Sequence, residues 1–321
     1  MSDGYLPPRW LAGGHAQTIY PALFRPPEIV LRRERVDTPD GDFVDFDWQD
    51  ANAAAPGTPT VVLFHGLEGN SSSHYARALM RGLQTIGWRG VVPHFRGCSG
   101  EPNRLPRAYH SGDYAEIGWM LSAVTARLPA APLYAVGVSL GGSALLNWLG
   151  REQERARSIL VAAAAVSAPL DLAAAGTAIG RGLNRIYARH FLSTLVPKAL
   201  AMAQRFPGTL DTAAIRRATS MHTFDDVVTA PLHGFGGVDD YWRRASSKPW
   251  LGGVAVPTLV LNAKNDPFIP WTSLPGAESV SRAVTLEQPV HGGHAGFATS
   301  AFPDSMNWLP SRLLQFFSST P

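Results

Sequence analysis

A serine stands among small residues at positions 137–141, where the chain reads Gly-Val-Ser-Leu-Gly. The continuous apolar segment 133–138 leads into Ser139, and a segment with helical spacing follows it. A nucleophilic serine needs a sharp turn from strand to helix, and that crowded turn accepts only small residues two positions before and after the serine. The pattern therefore predicts that Ser139 is a nucleophile. The N–H of Leu140, at the start of the helix, is then a predicted oxyanion donor.

A glycine-rich turn between a strand and a helix can also bind phosphate. A dinucleotide fingerprint at this place would have glycines at positions 137, 139 and 142, but position 139 is serine. The next apolar run also ends without an acidic residue, at 166–169. These departures favour the nucleophile over the dinucleotide site.

Residues that could activate the serine follow it in the chain. Asp266 lies just beyond the apolar run 257–262, where parallel sheets carry functional loops, although an aspartate before proline is also common in turns. His291 and His294 follow the last predicted strand in a glycine-rich loop. Position alone favours His294 as the base, with His291 as the alternative or as a support of the loop. No third ligand with the usual spacing accompanies the two histidines, so no metal site is expected.

A second oxyanion donor is predicted in the segment His-Gly-Leu-Glu-Gly at positions 65–69, directly after the apolar run 60–64. A glycine-containing turn at the end of a strand can direct a backbone N–H at the reacting carbonyl, most simply that of Leu67. His65 precedes the serine in the chain, which is the wrong order for the base. We therefore expect His65 in the wall of the oxyanion site, in contact with substrate.

The loop at 94–100 and the arginines near it offer further reactive groups. No base is reserved for Cys98, so we expect it to be a small buried residue. Arg96, Arg104 and Arg107 either receive an anionic group or form salt bridges, and we favour salt bridges.

The elements that must position these residues alternate between strand and helix, which indicates a largely parallel sheet with right-handed crossovers. Strands are predicted at 33–36, 43–48, 60–64, 90–95, 133–138, 159–168, 257–262 and 283–287. Helices are predicted at 74–86, 113–128, 140–154, 239–245 and 308–317.

The alternation stops after Asp171, where helical spacing continues without a strong strand. We predict an inserted helical cap at residues 171–235, and the alternative is a set of ordinary core helices. The cap helix predicted at 185–202 has an apolar side. On that side Phe191, Leu192 and Leu195 are the expected contacts for an acyl chain.

The composition of the chain excludes several classes of protein. The chain has 321 residues, of which 45% are hydrophobic and 17% charged, so it can bury a large core and is neither disordered nor a coiled coil. A net charge of +3 without a long basic run gives no reason to expect nucleic acid. The single cysteine fits a reducing compartment, and we see no signal peptide at the start, so a cytoplasmic location is predicted. The longest apolar run, 159–170, is shorter than the roughly 20 residues of a membrane span.

Seven segments distributed along the whole chain carry a resemblance to a known family. They are 14–19 (GHAQTI), 64–69 (FHGLEG), 94–103 (HFRGCSGEPN), 109–112 (YHSG), 137–142 (GVSLGG), 264–268 (KNDPF) and 291–297 (HGGHAGF). With them the chain resembles the YheT-like family of α/β-hydrolases, which is related to mammalian α/β-hydrolase-domain lipid hydrolases. The resemblance implies one α/β-hydrolase domain over 1–321, with a mostly parallel eight-stranded sheet. It also implies the triad Ser139, Asp266 and His294, which decides against His291. The family commonly has Asp-Asp-Pro at the acid turn, where this chain has Asn265 before Asp266.

The combined prediction is a serine carboxylic-ester hydrolase, either a short-chain carboxylesterase or a monoacylglycerol-type lipase. The mechanism runs through an acyl-enzyme and needs neither a metal nor an organic cofactor. An acyltransferase or thioesterase with the same triad is the enzymatic alternative, and a ligand-binding protein without turnover is the other. The expected partner is a small acyl ester or lipid. The small positive charge permits a weak attraction of the protein to anionic membrane surfaces.

Overall fold

Eight strands form one sheet in the computed structural model of the protein, which describes residues 5–24, 26–50, 55–299, 302 and 306–320. The other positions of the predicted domain 1–321 lie outside this description. The strands are β1 (Arg32–Asp37), β2 (Phe43–Gln49), β3 (Thr60–Phe64), β4 (Arg89–Pro93), β5 (Leu133–Val138), β6 (Ala162–Val166), β7 (Thr258–Leu261) and β8 (Val284–Glu287). Their order is β1-β2-β4-β3-β5-β6-β7-β8. The pairs β1–β2 and β2–β4 are antiparallel and all the others are parallel. The prediction of a mostly parallel eight-stranded sheet is confirmed.

Four strands, β4, β6, β7 and β8, are shorter than the apolar runs that predicted them, and β6 and β4 show why. β6 begins three residues later than predicted, because the N–H groups of Ile159 and Leu160 donate to the Ala156 carbonyl, at 3.1 and 2.9 Å, and so complete the preceding turn. β4 ends at Pro93, so that His94 and Phe95 belong to the loop that follows it. An apolar run predicts burial, and residues at the ends of a strand are buried without being part of the ladder.

Helices cover both faces of the sheet, and five helices of different lengths lie together within the segment 171–235. The helices are α1 (Gly14–Leu23), α2 (His74–Thr85), α3 (Tyr114–Arg127), α4 (Leu140–Glu152), α5 (Leu172–Ile179), α6 (Arg185–Arg205), α7 (Thr212–Arg217), α8 (Met221–Phe224), α9 (Ala230–Leu232), α10 (Val238–Ala245) and α11 (Trp308–Ser318). Short 3₁₀ turns lie at Gln153–Ser158, Gly182–Asn184, Lys248–Gly253, Trp271–Ser273 and Ala277–Ser279, and a π-helical turn at Asp225–Thr229. In the part of the chain described above, no helix has the length and apolar character that crossing a membrane requires.

The core lies on both sides of the sheet. Along β3, Val62 and Phe64 join the apolar cluster on one face, while Val61 and Leu63 join the cluster on the other face. Side chains alternate between the two faces of a strand, so a strand that is covered on both sides is apolar throughout. This burial explains why the continuous runs in the sequence predicted the strands.

Helices α5 to α9 lie between β6 and α10, within the segment 171–235 that the sequence suggested as a cap. Helices α6 to α8 pack around an apolar cluster of their own, which contains Leu192, Leu195, Ala199, Ile215 and Phe224, while α5 and α9 pack with α10. We refer to residues 171–235 as the cap segment. Because β3, β5, β7 and β8 are parallel, the loops after them meet at one edge of the sheet, which the cap segment overlies through Leu67 and its neighbours.

Candidate active site

Ser139 forms the turn between β5 and α4. Its backbone has φ 53° and ψ −121°, in a region that costs energy for a residue with a side chain, and its N–H donates to the Val166 carbonyl at 2.9 Å. A Cβ atom added to Gly141 would collide with the Phe64 carbonyl, and one added to Gly137 would collide with the Gly141 carbonyl. The two glycines are therefore required by close packing. The serine side chain is partly exposed and lines a cavity.

His294 and Asp266 form a close pair at the same edge of the sheet. The Nδ1 of His294 lies 2.8 Å from Oδ2 of Asp266, whose side chain is fully buried, and the other carboxylate oxygen accepts the Phe268 N–H at 2.8 Å. A carboxylate only accepts hydrogen bonds, so Nδ1 carries the proton in this contact and the neutral imidazole has its lone pair at Nε2. The Phe268 ring packs against the imidazole with a centroid distance of 4.3 Å. His294 lines the same cavity as Ser139.

His291, the alternative base, is exposed and does not line the cavity. Its Nδ1 lies 3.5 Å from Nδ2 of Asn265, on the outer side of the loop. The structure therefore places His294, and not His291, against the acid and in the wall of the cavity that Ser139 also lines.

Helix α1, which was not among the predicted helices, holds the loop that carries His294. The side-chain oxygen of Gln17 accepts the Gly292 N–H at 2.9 Å and an Asn265 amide proton at 3.0 Å. The hydroxyl of Thr18 accepts the N–H of His294 at 2.9 Å. Gln17 is completely buried. The only signal in the sequence was a polar pair inside a helix that has no charged residue, within the family motif at 14–19.

Asn265, which stands where the family commonly has aspartate, belongs to the same hydrogen-bond network between α1 and the loop that carries His294. Its side-chain oxygen accepts the Gly293 N–H at 3.0 Å while its NH₂ group donates to Gln17. An aspartate could not donate to Gln17. The asparagine therefore fits the neutral glutamine that it faces.

The turn at 66–69 presents one backbone N–H without an acceptor among the described residues. The hydroxyl of Tyr75 accepts the Gly66 N–H at 2.8 Å, and that of Tyr109 accepts the Glu68 N–H at 2.7 Å. Within the described residues, the N–H groups of Leu67 and Leu140 have no protein acceptor. Both residues line the cavity beside Ser139. Two backbone N–H donors beside a serine are the groups that form an oxyanion site.

His65 does not line this cavity, contrary to the prediction that it contacts substrate. It is completely buried, its Nδ1 donates to the Gly66 carbonyl at 2.8 Å, and its Nε2 accepts the Phe95 N–H at 3.0 Å. Burial lowers the pKa of His65 to about 3, so the ring is neutral. The bond with Phe95 joins the loop after β3 to the loop after β4, which is a supporting role.

The cavity has a volume of about 810 Å³ and extends from Ser139 under the cap segment. Of the three cap residues expected to contact an acyl chain, Phe191 and Leu195 line it. Leu192 does not line it, although Leu192 and Leu195 both belong to the apolar cluster of the cap segment. The predicted contact between Leu192 and an acyl chain therefore has no support in the structure.

The arginines near the site form ion pairs. The guanidinium of Arg96 is buried and pairs with Asp42 at 2.9 Å and with Glu116 at 2.8 Å, while Arg107 pairs with Glu116 at 2.9 Å. Arg104 pairs with an aspartate on β1.

Cys98 is buried, and burial raises the pKa of its thiol to about 12, so it stays protonated. Among the described residues no cluster of three or more His, Cys, Asp and Glu side chains is arranged to bind a metal.

The fold, with a serine after β5 and a histidine–aspartate pair at the same edge of the sheet, can be compared with known protein families. Residues 59–301 match the family model of the α/β-hydrolase fold. Over 97% of its length the chain is 40% identical to the putative esterase YheT of Escherichia coli (strain K12), and it covers 92% of that protein. It is 30% identical to phospholipase ABHD3 of Mus musculus, covering 98% of this chain and 78% of that one.

Among solved structures, the Pyrococcus furiosus esterase Pf2001 matches 92% of this chain and 98% of its own, with a TM-score of 0.57 and 13% identity. At that identity the likeness shows the fold alone. The chain belongs to the α/β-hydrolase family and, within it, to the YheT-like branch of esterase- and lipase-type enzymes.

Proposed function

We propose that this carboxylic ester hydrolase acts through Ser139, His294 and Asp266. Nε2 of His294 takes the proton of the Ser139 hydroxyl as the oxygen attacks the ester carbonyl. Asp266 holds the ring in the required tautomer and stabilises the imidazolium that forms. The observation that carries the proposal is the 2.8 Å contact between His294 and buried Asp266 at the edge of a cavity that Ser139 also lines.

The developing negative charge falls on the carbonyl oxygen. We assign its stabilisation to the N–H groups of Leu67 and Leu140, because neither has another acceptor within the described residues and both belong to the cavity wall. Collapse of the tetrahedral intermediate releases the alcohol, which takes its proton from His294. Water then attacks the acyl-enzyme with the same histidine as base, which frees the carboxylic acid and restores the serine.

The cavity supports an ester with an apolar acyl chain as the substrate. Phe191 and Leu195 offer aromatic and aliphatic surface to such a chain, and the volume of about 810 Å³ accommodates a drug-sized or small lipid molecule. We therefore infer a carboxylesterase or a monoacylglycerol-type lipase. The cytoplasmic location and the weak contact with membranes stay predictions from the sequence.

The test is labelling with a fluorophosphonate probe, beside Ser139→Ala, and turnover of p-nitrophenyl esters from acetate to decanoate. We expect labelling of the wild type only, with turnover that rises from acetate toward the longer chains. Labelling that survives Ser139→Ala would contradict the assignment of the nucleophile. Labelling without hydrolysis of any ester would favour a transferase or a binding protein.

A further inference from the structure

The cap segment contacts the proposed oxyanion turn at two places that the mechanism above does not use. Leu67 packs against the core cluster below it and also against the apolar cluster of the cap segment. Beside it, the carboxylate of Glu68 lies 2.8 Å from the ammonium group of Lys198 on α6. The same short turn therefore has an apolar contact with the cap segment and an ionic contact with α6.

Glu68 has an unusual backbone for a residue with a side chain. It is the third residue of the turn that the Gly69 N–H closes on the Gly66 carbonyl at 2.9 Å, and its φ is 56°. Glycine or asparagine would adopt this conformation at a lower cost. The glutamate is therefore strained here, and contacts of its side chain must hold the conformation.

Those contacts come from one core residue and one cap residue. The N–H of Glu68 donates to the Tyr109 hydroxyl at 2.7 Å, and that hydroxyl donates in turn to the Glu68 carboxylate at 3.1 Å. Tyr109 is fixed by stacking on Phe95, with a centroid distance of 5.2 Å. Burial raises the pKa of Tyr109, so its hydroxyl keeps the proton that it donates. Lys198 binds the remaining carboxylate oxygen.

Resting on the proposed function, we propose that Lys198 is a positioning residue, which joins the cap segment to Glu68 and so sets the neighbouring Leu67 N–H toward the ester oxyanion. The oxyanion site is then complete only while α6 lies on the core. Movement of α6 away from the core would release the carboxylate and allow the strained turn to relax. The arrangement thus couples enclosure of the substrate to the ability to stabilise the transition state.

An ordinary surface ion pair would behave differently. The Lys198 side chain is 48% exposed, and ion pairs of this exposure contribute little to the stability of a fold. A positioning role predicts a loss of rate without a matching loss of stability. A direct contact between Lys198 and substrate would change KM instead of kcat.

The test compares Lys198→Met with Lys198→Arg, which keeps the charge, and with Arg189→Met, which removes an exposed charge from the same helix. The readouts are kcat and KM for p-nitrophenyl butyrate, the rate of fluorophosphonate labelling, and the urea midpoint. We expect Lys198→Met to lower kcat and the labelling rate on the order of tenfold, which is less than the ~10²–10³ for complete loss of an oxyanion donor. KM should stay within about twofold of the wild-type value, and the urea midpoint should equal that of Arg189→Met. Lys198→Arg should recover most of the rate, and Glu68→Gln should reproduce the loss.

Three results would overturn the coupling. They are a kcat of Lys198→Met equal to that of Arg189→Met, a change confined to KM, or an arginine variant as slow as the methionine variant. Failure of the proposed function looks different, because the wild-type protein itself would then neither be labelled nor turn over any ester.

Discussion

Thr18 provides a sharp test of the role of α1, because a single hydroxyl joins that helix to the backbone of His294. The residue is 8% exposed, and its oxygen accepts the His294 N–H at 2.9 Å while donating to the Gly14 carbonyl at 2.7 Å. Thr18→Val keeps the shape of the side chain and removes both hydrogen bonds. Thr18→Ser keeps the hydroxyl and is the matched control.

The size of the stability loss follows from the His294 N–H, which loses its acceptor in Thr18→Val. A backbone N–H left unsatisfied away from water costs about 1–3 kcal/mol, so we expect that loss in the free energy of unfolding of Thr18→Val. Domains usually have about 5–15 kcal/mol of stability, so the variant stays folded. A shift of the histidine by about 1 Å can cost up to ~10²-fold in rate, and we expect kcat to fall at least about tenfold.

The assay pairs urea unfolding with ester turnover for both variants. Thr18→Ser should retain kcat within about threefold and most of the stability. If Thr18→Val lost stability while keeping the kcat of Thr18→Ser, α1 would support the fold without positioning the base. If both variants behaved like the wild type, the reasoning from the hydrogen bond would be wrong.

Two further predictions concern the cap segment. Burial raises the pKa of the Asp225 carboxyl from 3.8 to about 6. The folded state therefore binds the carboxyl proton more tightly than the unfolded state, and this contribution to the free energy of unfolding is lost as the pH rises through 6. Relative to Asp225→Asn, the wild type should lose at most about 3 kcal/mol of unfolding free energy between pH 4 and 8, and parallel stability curves in urea titrations would contradict this. Leu192→Ala should lower the free energy of unfolding by about 2–5 kcal/mol with little change in KM. Leu195→Ala should instead reduce the preference for decanoate over acetate by about tenfold, since its side chain faces the cavity, and equal effects of both variants on chain-length preference would refute the assignment.

The strands could be predicted, and the residues of the proposed triad could be singled out, because their signals are local. A strand covered on both faces must be apolar along its length, and β3 and β5 are. The turn at Ser139 needs small neighbours at fixed positions, which a short motif records. The family resemblance then separated His294 from His291, and the structure places only His294 beside the acid.

The supporting contacts could not be predicted because they join distant parts of the chain. Gln17 and Gly292 are 275 positions apart, and no local pattern links a buried glutamine to that loop. His65 follows a strand, as expected of a site residue, but its ring points to the Phe95 N–H inside the protein. Leu192 and Leu195 have the spacing of one apolar face, and the sequence does not show which part of that face meets the cavity. Helix α1 contains Pro21 and no charged residue, so its pattern was weak.

In the proposed mechanism Ser139 carries the acyl group during turnover. The most direct measurement is intact-protein and peptide mass spectrometry after rapid acid quench of the enzyme with a p-nitrophenyl ester. We expect a mass increase equal to the acyl group less the hydrogen that it replaces, located on the peptide that contains Ser139, and no such increase in Ser139→Ala. Ester turnover with the acyl group on another residue, or undiminished turnover by Ser139→Ala, would contradict it.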